Sequence, residues 1–77
     1  MNLQENTLEI IPTEISMLTS LAELRLAYNE LAVLPDAIGY LPAIKQLFLE
    51  HNRLVELPAT LGNLGSLELL VLTDNSL

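Results

Sequence analysis

One histidine and several carboxylates are the residues of this sequence that could perform acid–base chemistry. A histidine base needs a nucleophile and a group that orients its ring. His51 is the single histidine, the chain has no cysteine, and no serine or threonine falls at a position that would bring it beside His51. We therefore expect no catalytic residues and a chain that is not itself an enzyme.

The carboxylates and glycines follow no ligand-binding motif. Glu23, Glu50 and Glu68 do not have the spacing of a metal site such as a calcium-binding EF-hand loop. The glycines do not form a loop that would cradle phosphate groups. The sequence therefore predicts neither a bound metal ion nor a cofactor.

The charge balance excludes two classes of partner. Ten acidic residues stand against three basic ones, Arg25, Lys45 and Arg53, which gives a net charge of −7. Such a chain repels phosphate and has no basic cluster, so we expect no binding to nucleic acid or to an anionic membrane. The sequence has no long apolar run and no signal peptide, and the absence of cysteine fits a reducing compartment, which favours the cytoplasm.

A repeat of 23 residues organises the whole sequence. The pattern is LxxLxLxxNxLxxLPxxIxxLxx, and every apolar, asparagine and proline slot in the chain is filled, with Met1 in an aliphatic slot. The asparagine column shows the spacing most clearly and consists of Asn6, Asn29, Asn52 and Asn75. We expect these asparagines to be buried and structural. Their amides can form hydrogen bonds with the unpaired backbone N–H and carbonyl groups of a sharp turn and can bridge to the next unit.

Each unit predicts a short strand followed by a compact turn. Apolar and variable residues alternate in Leu24-Arg25-Leu26, as they do in a half-buried strand. In the second half of the unit, Pro35, Ile38 and Leu41 lie three residues apart, which places one side of a short helical turn against the core. The glycines and prolines there favour irregular or 3₁₀ turns over long α-helices.

This pattern resembles that of leucine-rich repeat proteins over all 77 residues. The 23-residue unit with its LPxxI or LPxxL half is similar to the intracellular Ras-suppressor and Scribble-like subclass, which is also common in plants and bacteria. The resemblance implies an α/β solenoid, a right-handed coil with a parallel sheet of short strands on its concave face and irregular or 3₁₀ turns on its convex face.

We expect one repeat array over residues 1–77 without polar caps. It divides into a partial repeat (1–20), two full repeats (21–43 and 44–66) and a second partial repeat (67–77). Solenoids need caps to stay soluble, so three explanations are open. The chain is a fragment of a longer protein, which we favour, or a short reading frame with a degraded or partner-dependent fold, or one of several copies that stack head to tail.

The variable strand positions are the candidate binding site. Phe48, Leu69 and Val71 should be neighbours on the concave face, and such an apolar cluster marks a contact site unless it merely tolerates exposure or is covered by another segment. Arg25, Tyr28 and His51 are typical interface anchors. We expect Glu23 and Glu50 to set the charge preference. The first unit is acidic as well, which either steers a basic partner or maintains solubility.

These features predict a non-catalytic module that binds a protein on its concave sheet. The resemblance implies that the module belongs to a signalling or scaffold protein. The resemblance implies a small GTPase or a phosphatase as a partner. Two alternatives remain open at this point. In the first, the chain is the targeting or sensor arm of a larger enzyme, such as a kinase, cyclase or ligase. In the second, it is a solenoid that assembles head to tail.

Overall fold

A parallel sheet of three short strands runs through the repeats. The computed structural model describes residues 1–77. The sheet has the order β1-β2-β3, and its strands are β1 (Glu23–Arg25), β2 (Gln46–Phe48) and β3 (Leu69–Val71). Residues that occupy the same slot of successive units are paired, as Leu24 is with Leu47 and Leu47 with Leu70. The 23-residue period is thus the step from one strand to the next.

Three 3₁₀ helices of five residues each form the return path of the chain. They span Thr13–Met17, Asp36–Tyr40 and Ala59–Asn63. Consecutive 3₁₀ helices pack on one another, as consecutive strands do. None of these helices has the length or apolar character needed to cross a membrane.

The core is built from the leucine and isoleucine columns. Leu24 and Leu26 flank Arg25 and are completely buried, and Ile38 of the second 3₁₀ helix belongs to the same apolar cluster. This confirms the predicted inward alternation, although each strand begins one residue earlier than the apolar pattern predicts. In the last unit Leu70 and Leu72 are half-buried.

A proline lies directly before each 3₁₀ helix. Pro12, Pro35 and Pro58 lie directly before the three helices in extended conformations with φ of −68°, −71° and −67°. The missing proline N–H leaves no donor to satisfy at this position. The Pro35 carbonyl accepts a hydrogen bond from the backbone N–H of Ile38 at 3.1 Å, and the other two prolines accept equivalent bonds.

The asparagine column ties each unit to the one before it. The Oδ1 atom of Asn52 accepts a hydrogen bond from the backbone N–H of Leu31 at 3.1 Å. Its Nδ2 atom donates to the carbonyls of Leu26 and Leu49 at 3.0 Å each, so it joins the previous unit to its own. Asn29 and Asn75 repeat this arrangement. The predicted bridging role is confirmed for these three residues.

Asn6 differs from the other members of its column. It is exposed, and its Nδ2 atom donates to the carbonyls of Leu3 and Gln4 within its own turn, at 3.0 and 3.2 Å. The same side chain therefore supports a turn without joining two units.

Gly39 permits the close approach of two 3₁₀ helices. A Cβ atom at this position would overlap the side chain and backbone of Thr60 in the next unit. Thr60 also donates a hydrogen bond from its hydroxyl to the carbonyl of Asp36 at 2.8 Å. The equivalent Gly62 has open space where a Cβ atom would lie.

Replacing Asn52 with alanine should destabilise the fold strongly. The substitution leaves the buried Leu31 N–H without its partner and removes one of the two amide hydrogen bonds that the Leu26 and Leu49 carbonyls each accept. The loss should cost about 2–4 kcal/mol of unfolding free energy. Asn6→Ala is the matched control and should cost less than about 1 kcal/mol. Urea unfolding followed by circular dichroism measures both, and equal losses would show that bridging between units contributes nothing.

Gly39→Ala and Gly62→Ala should differ in the same assay. The added methyl group at residue 39 forces the two 3₁₀ helices apart, which should lower the unfolding free energy by about 1–3 kcal/mol. At residue 62 the methyl group is free, and the variant should be neutral or up to about 1 kcal/mol more stable. A destabilised Gly62→Ala together with a neutral Gly39→Ala would contradict this packing.

Candidate functional site

The strand pairing brings the predicted site residues into two rows on one face of the sheet. Arg25, Phe48 and Val71 are paired in sequence across β1, β2 and β3, and Glu23, Gln46 and Leu69 form the parallel row. The isolated bridge between Asn2 and Arg25 extends the first row by one unit. The register confirms that these positions are neighbours.

Arg25 is held in place by two neighbours. Its Nε atom donates to Glu23 Oε2 at 3.0 Å, and its guanidinium carbon lies 4.6 Å from the centre of the Phe48 ring. The hydrogen bond from Arg25 lowers the pKa of the Glu23 carboxyl below its ordinary value of 4.5, and the same contact raises the pKa of Arg25. Both groups are therefore charged at neutral pH, and the cation–π contact adds to the order of the arginine.

An apolar patch lies beside this arginine. We define it as Phe48, Leu69 and Val71, which lie on neighbouring strands. Leu69 is 42% exposed, while Phe48 and Val71 are half-buried. The patch faces the surface, whereas Leu47 on the other face of β2 is completely buried.

A second group of side chains lies at the end of the strands. The rings of Tyr28 and His51 stack with their centres 4.3 Å apart and an angle of 14° between their planes. The His51 Nδ1 atom lies 3.2 Å from Asp74 Oδ2. We call Tyr28, His51 and Asp74 the aromatic ledge.

The residues of the aromatic ledge have a strained backbone conformation. Its three residues have φ values of 58°, 57° and 56°, in the left-handed region, and Glu5 of the first unit has the same conformation. Non-glycine residues enter this region at a cost of about 1–2 kcal/mol each. The repeated turn imposes this conformation, and it holds Tyr28 half-exposed, with 51% of its surface accessible.

Sequence reasoning missed one member of this group. Asp74 was not predicted as a site residue, although the 23-residue period puts it in the same row as Tyr28 and His51. That period was the signal that could have identified it. Ala27 occupies the same slot as Glu50 but is buried, because its methyl group is too short to extend beyond the neighbouring side chains.

Glu50 lies on the same strand face as Phe48, two residues further along. It is half-buried, and its Oε1 atom is buried without any hydrogen-bond donor from the chain. All eight predicted residues therefore lie in the two rows, in the aromatic ledge or directly between them.

The chemistry that this surface can perform is non-covalent recognition. His51 has an orienting carboxylate but stacks on Tyr28, and no group of three or more His, Cys, Asp or Glu side chains comes together that could hold a metal ion. The surface instead offers an apolar patch, an ordered guanidinium, two stacked rings and carboxylates. These are the elements of a contact surface for another macromolecule.

The first unit carries an apolar cavity of about 320 Å³ away from this face. It is lined by column residues that include Leu3, Leu8, Ile11 and Ile15. In the later units the same columns pack against the preceding unit. None of the residues that line the cavity belongs to the two rows of the sheet, so the cavity is separate from the candidate site.

Comparisons with known proteins agree with this architecture. The family described as leucine rich repeat matches residues 19–77. A solved structure of a leucine-rich repeat protein from Leptospira interrogans is 42% identical, with a TM-score of 0.94 over 96% of this chain. The match covers 19% of that protein's chain, so the present sequence spans about a fifth of its length.

A search of curated proteins finds no match. Leucine-rich repeat domains are generally protein-interaction modules and typically have no catalytic activity of their own. The match over residues 19–77 and the shared structure together show that this chain belongs to the leucine-rich repeat family.

Proposed function

We propose that this chain binds a protein on its concave sheet and serves as a recognition module within a signalling or scaffold protein. The observation that carries the proposal is the apolar patch of Phe48, Leu69 and Val71, which the strand register assembles on an otherwise polar face. Exposed apolar clusters with a polar surround mark contact sites.

The patch offers a moderate share of a binding free energy. Fully burying one such side chain is worth about 1.5–3 kcal/mol, and these three are already partly buried. A partner therefore gains on the order of 2–4 kcal/mol from the patch alone. Micromolar binding needs about 8 kcal/mol, so the neighbouring polar and aromatic groups must also contribute.

The neighbouring side chains are ordered before a partner arrives. Arg25 is fixed by Glu23 and Phe48, and His51 is fixed by Tyr28 and Asp74. Binding usually costs about 0.5–1.5 kcal/mol for each flexible side chain that it immobilises. Preordering reduces this cost, which supports Arg25, Tyr28 and His51 as anchors.

The nature of the partner follows from the resemblance to the Ras-suppressor and Scribble-like subclass. It favours a small GTPase or a phosphatase as the bound protein. This partner identity rests on analogy with that subclass.

Truncating two side chains of the apolar patch should weaken binding. Short random peptides displayed on phage and selected on the immobilised chain provide the probe, and titration calorimetry of the enriched peptides measures affinity. The double variant Phe48→Ala/Val71→Ala should weaken these peptides by about 2–4 kcal/mol, or roughly 30-fold or more.

The matched control is Tyr40→Ala/Val55→Ala, which removes two exposed apolar side chains outside the strands. It should leave the affinity unchanged. Peptides that bind equally to the wild type and the Phe48→Ala/Val71→Ala variant would show that the concave sheet is not the binding face.

A further inference from the structure

Glu50 differs from Glu23, Glu30 and Asp74 in having no cationic partner. Glu23 pairs with Arg25 at 3.0 Å, Glu30 pairs with Arg53 at 3.5 Å, and Asp74 contacts His51. Glu50 makes no ion pair, and its Oε1 atom is buried without a donor from the chain. A buried polar atom without a partner is rare in folded proteins and calls for an explanation.

Arg25 does not neutralise Glu50. Both of its hydrogen bonds go to Glu23, from Nε at 3.0 Å and from a terminal nitrogen at 3.4 Å. The nearby Glu50 carboxylate contributes only the last and smallest of the causes that raise the pKa of Arg25. The centre of the sheet therefore holds two carboxylates for one guanidinium, which leaves a net charge of −1.

We propose that Glu50 receives a lysine or arginine side chain of the protein that binds this surface. The proposal rests on the proposed function, since it names the chemistry of the partner at the same site. The unpaired carboxylate supplies the charge, and Phe48 on the same strand face offers an apolar surface for the methylene groups of that side chain.

Three features support a basic partner over an acidic one. The guanidinium of Arg25 is already engaged by Glu23, so an incoming carboxylate would compete with an existing ion pair. The net charge of −7 attracts a basic protein over a longer range. The terminal torsion of a glutamate side chain is broad, so the Glu50 carboxylate can turn its unpaired oxygen toward an incoming donor at little cost.

The phage-selected peptides also test this inference. Each enriched peptide is titrated against the wild type, Glu50→Gln and the control Glu56→Gln, which changes an exposed glutamate outside the strands. Each peptide is also made with its basic residues replaced one at a time by methionine. Circular dichroism checks that the three proteins are equally folded.

We expect the enriched peptides to carry a lysine or arginine whose replacement weakens binding to the wild type by about tenfold or more. Glu50→Gln should cause a similar loss, and in that variant the same peptide replacement should have little further effect. Glu56→Gln should change the affinity by less than about twofold.

Two results would overturn the inference, and they are distinguishable. Peptides that lose affinity in Phe48→Ala/Val71→Ala but bind Glu50→Gln like the wild type would leave the concave binding face in place and exclude cation recognition. Peptides unaffected by either change, or a library without any binder, would contradict the proposed function and the inference together.

Discussion

The fold depends on how each unit provides hydrogen-bond partners for the backbone groups of the turn that follows its strand. At this turn the N–H and carbonyl groups have no partner in the parallel ladder, and unpaired buried groups cost about 1–3 kcal/mol each. The side chains of Asn29, Asn52 and Asn75 supply both the acceptor and the donors. Because each amide also reaches a carbonyl of the preceding unit, the same bonds fix the step between repeats.

This step separates the residues that support the fold from those available for recognition. Leucines face inward at fixed slots, so the neighbouring slots are free to differ between units. Stacking then places the variable residues in rows, and one row joins Arg25, Phe48 and Val71. The left-handed turn that follows each strand positions Tyr28 and His51 of the aromatic ledge beside these rows. A contact surface thus arises from residues that are 23 positions apart in the chain.

Most of the backbone arrangement could be predicted from the period of the sequence. Leucine, asparagine and proline columns specify strand, turn and 3₁₀ helix, because each column repeats one local requirement of the backbone. The pairing of side chains could not be predicted in the same way. Whether Arg25 contacts Glu23 or Glu50 depends on rotamers and short distances, which a period does not encode. The close approach at Gly39 likewise depends on Thr60 of the next unit.

Hydrogen exchange of the asparagine side chains tests the stacking of units most directly. The experiment follows the side-chain amide protons of all four asparagines in the folded chain by nuclear magnetic resonance. Asn29, Asn52 and Asn75 should exchange slowly, because their amides bond to carbonyls of two units. Asn6 should exchange rapidly, since its amide bonds only within its own exposed turn. Equal exchange at all four positions would contradict the account.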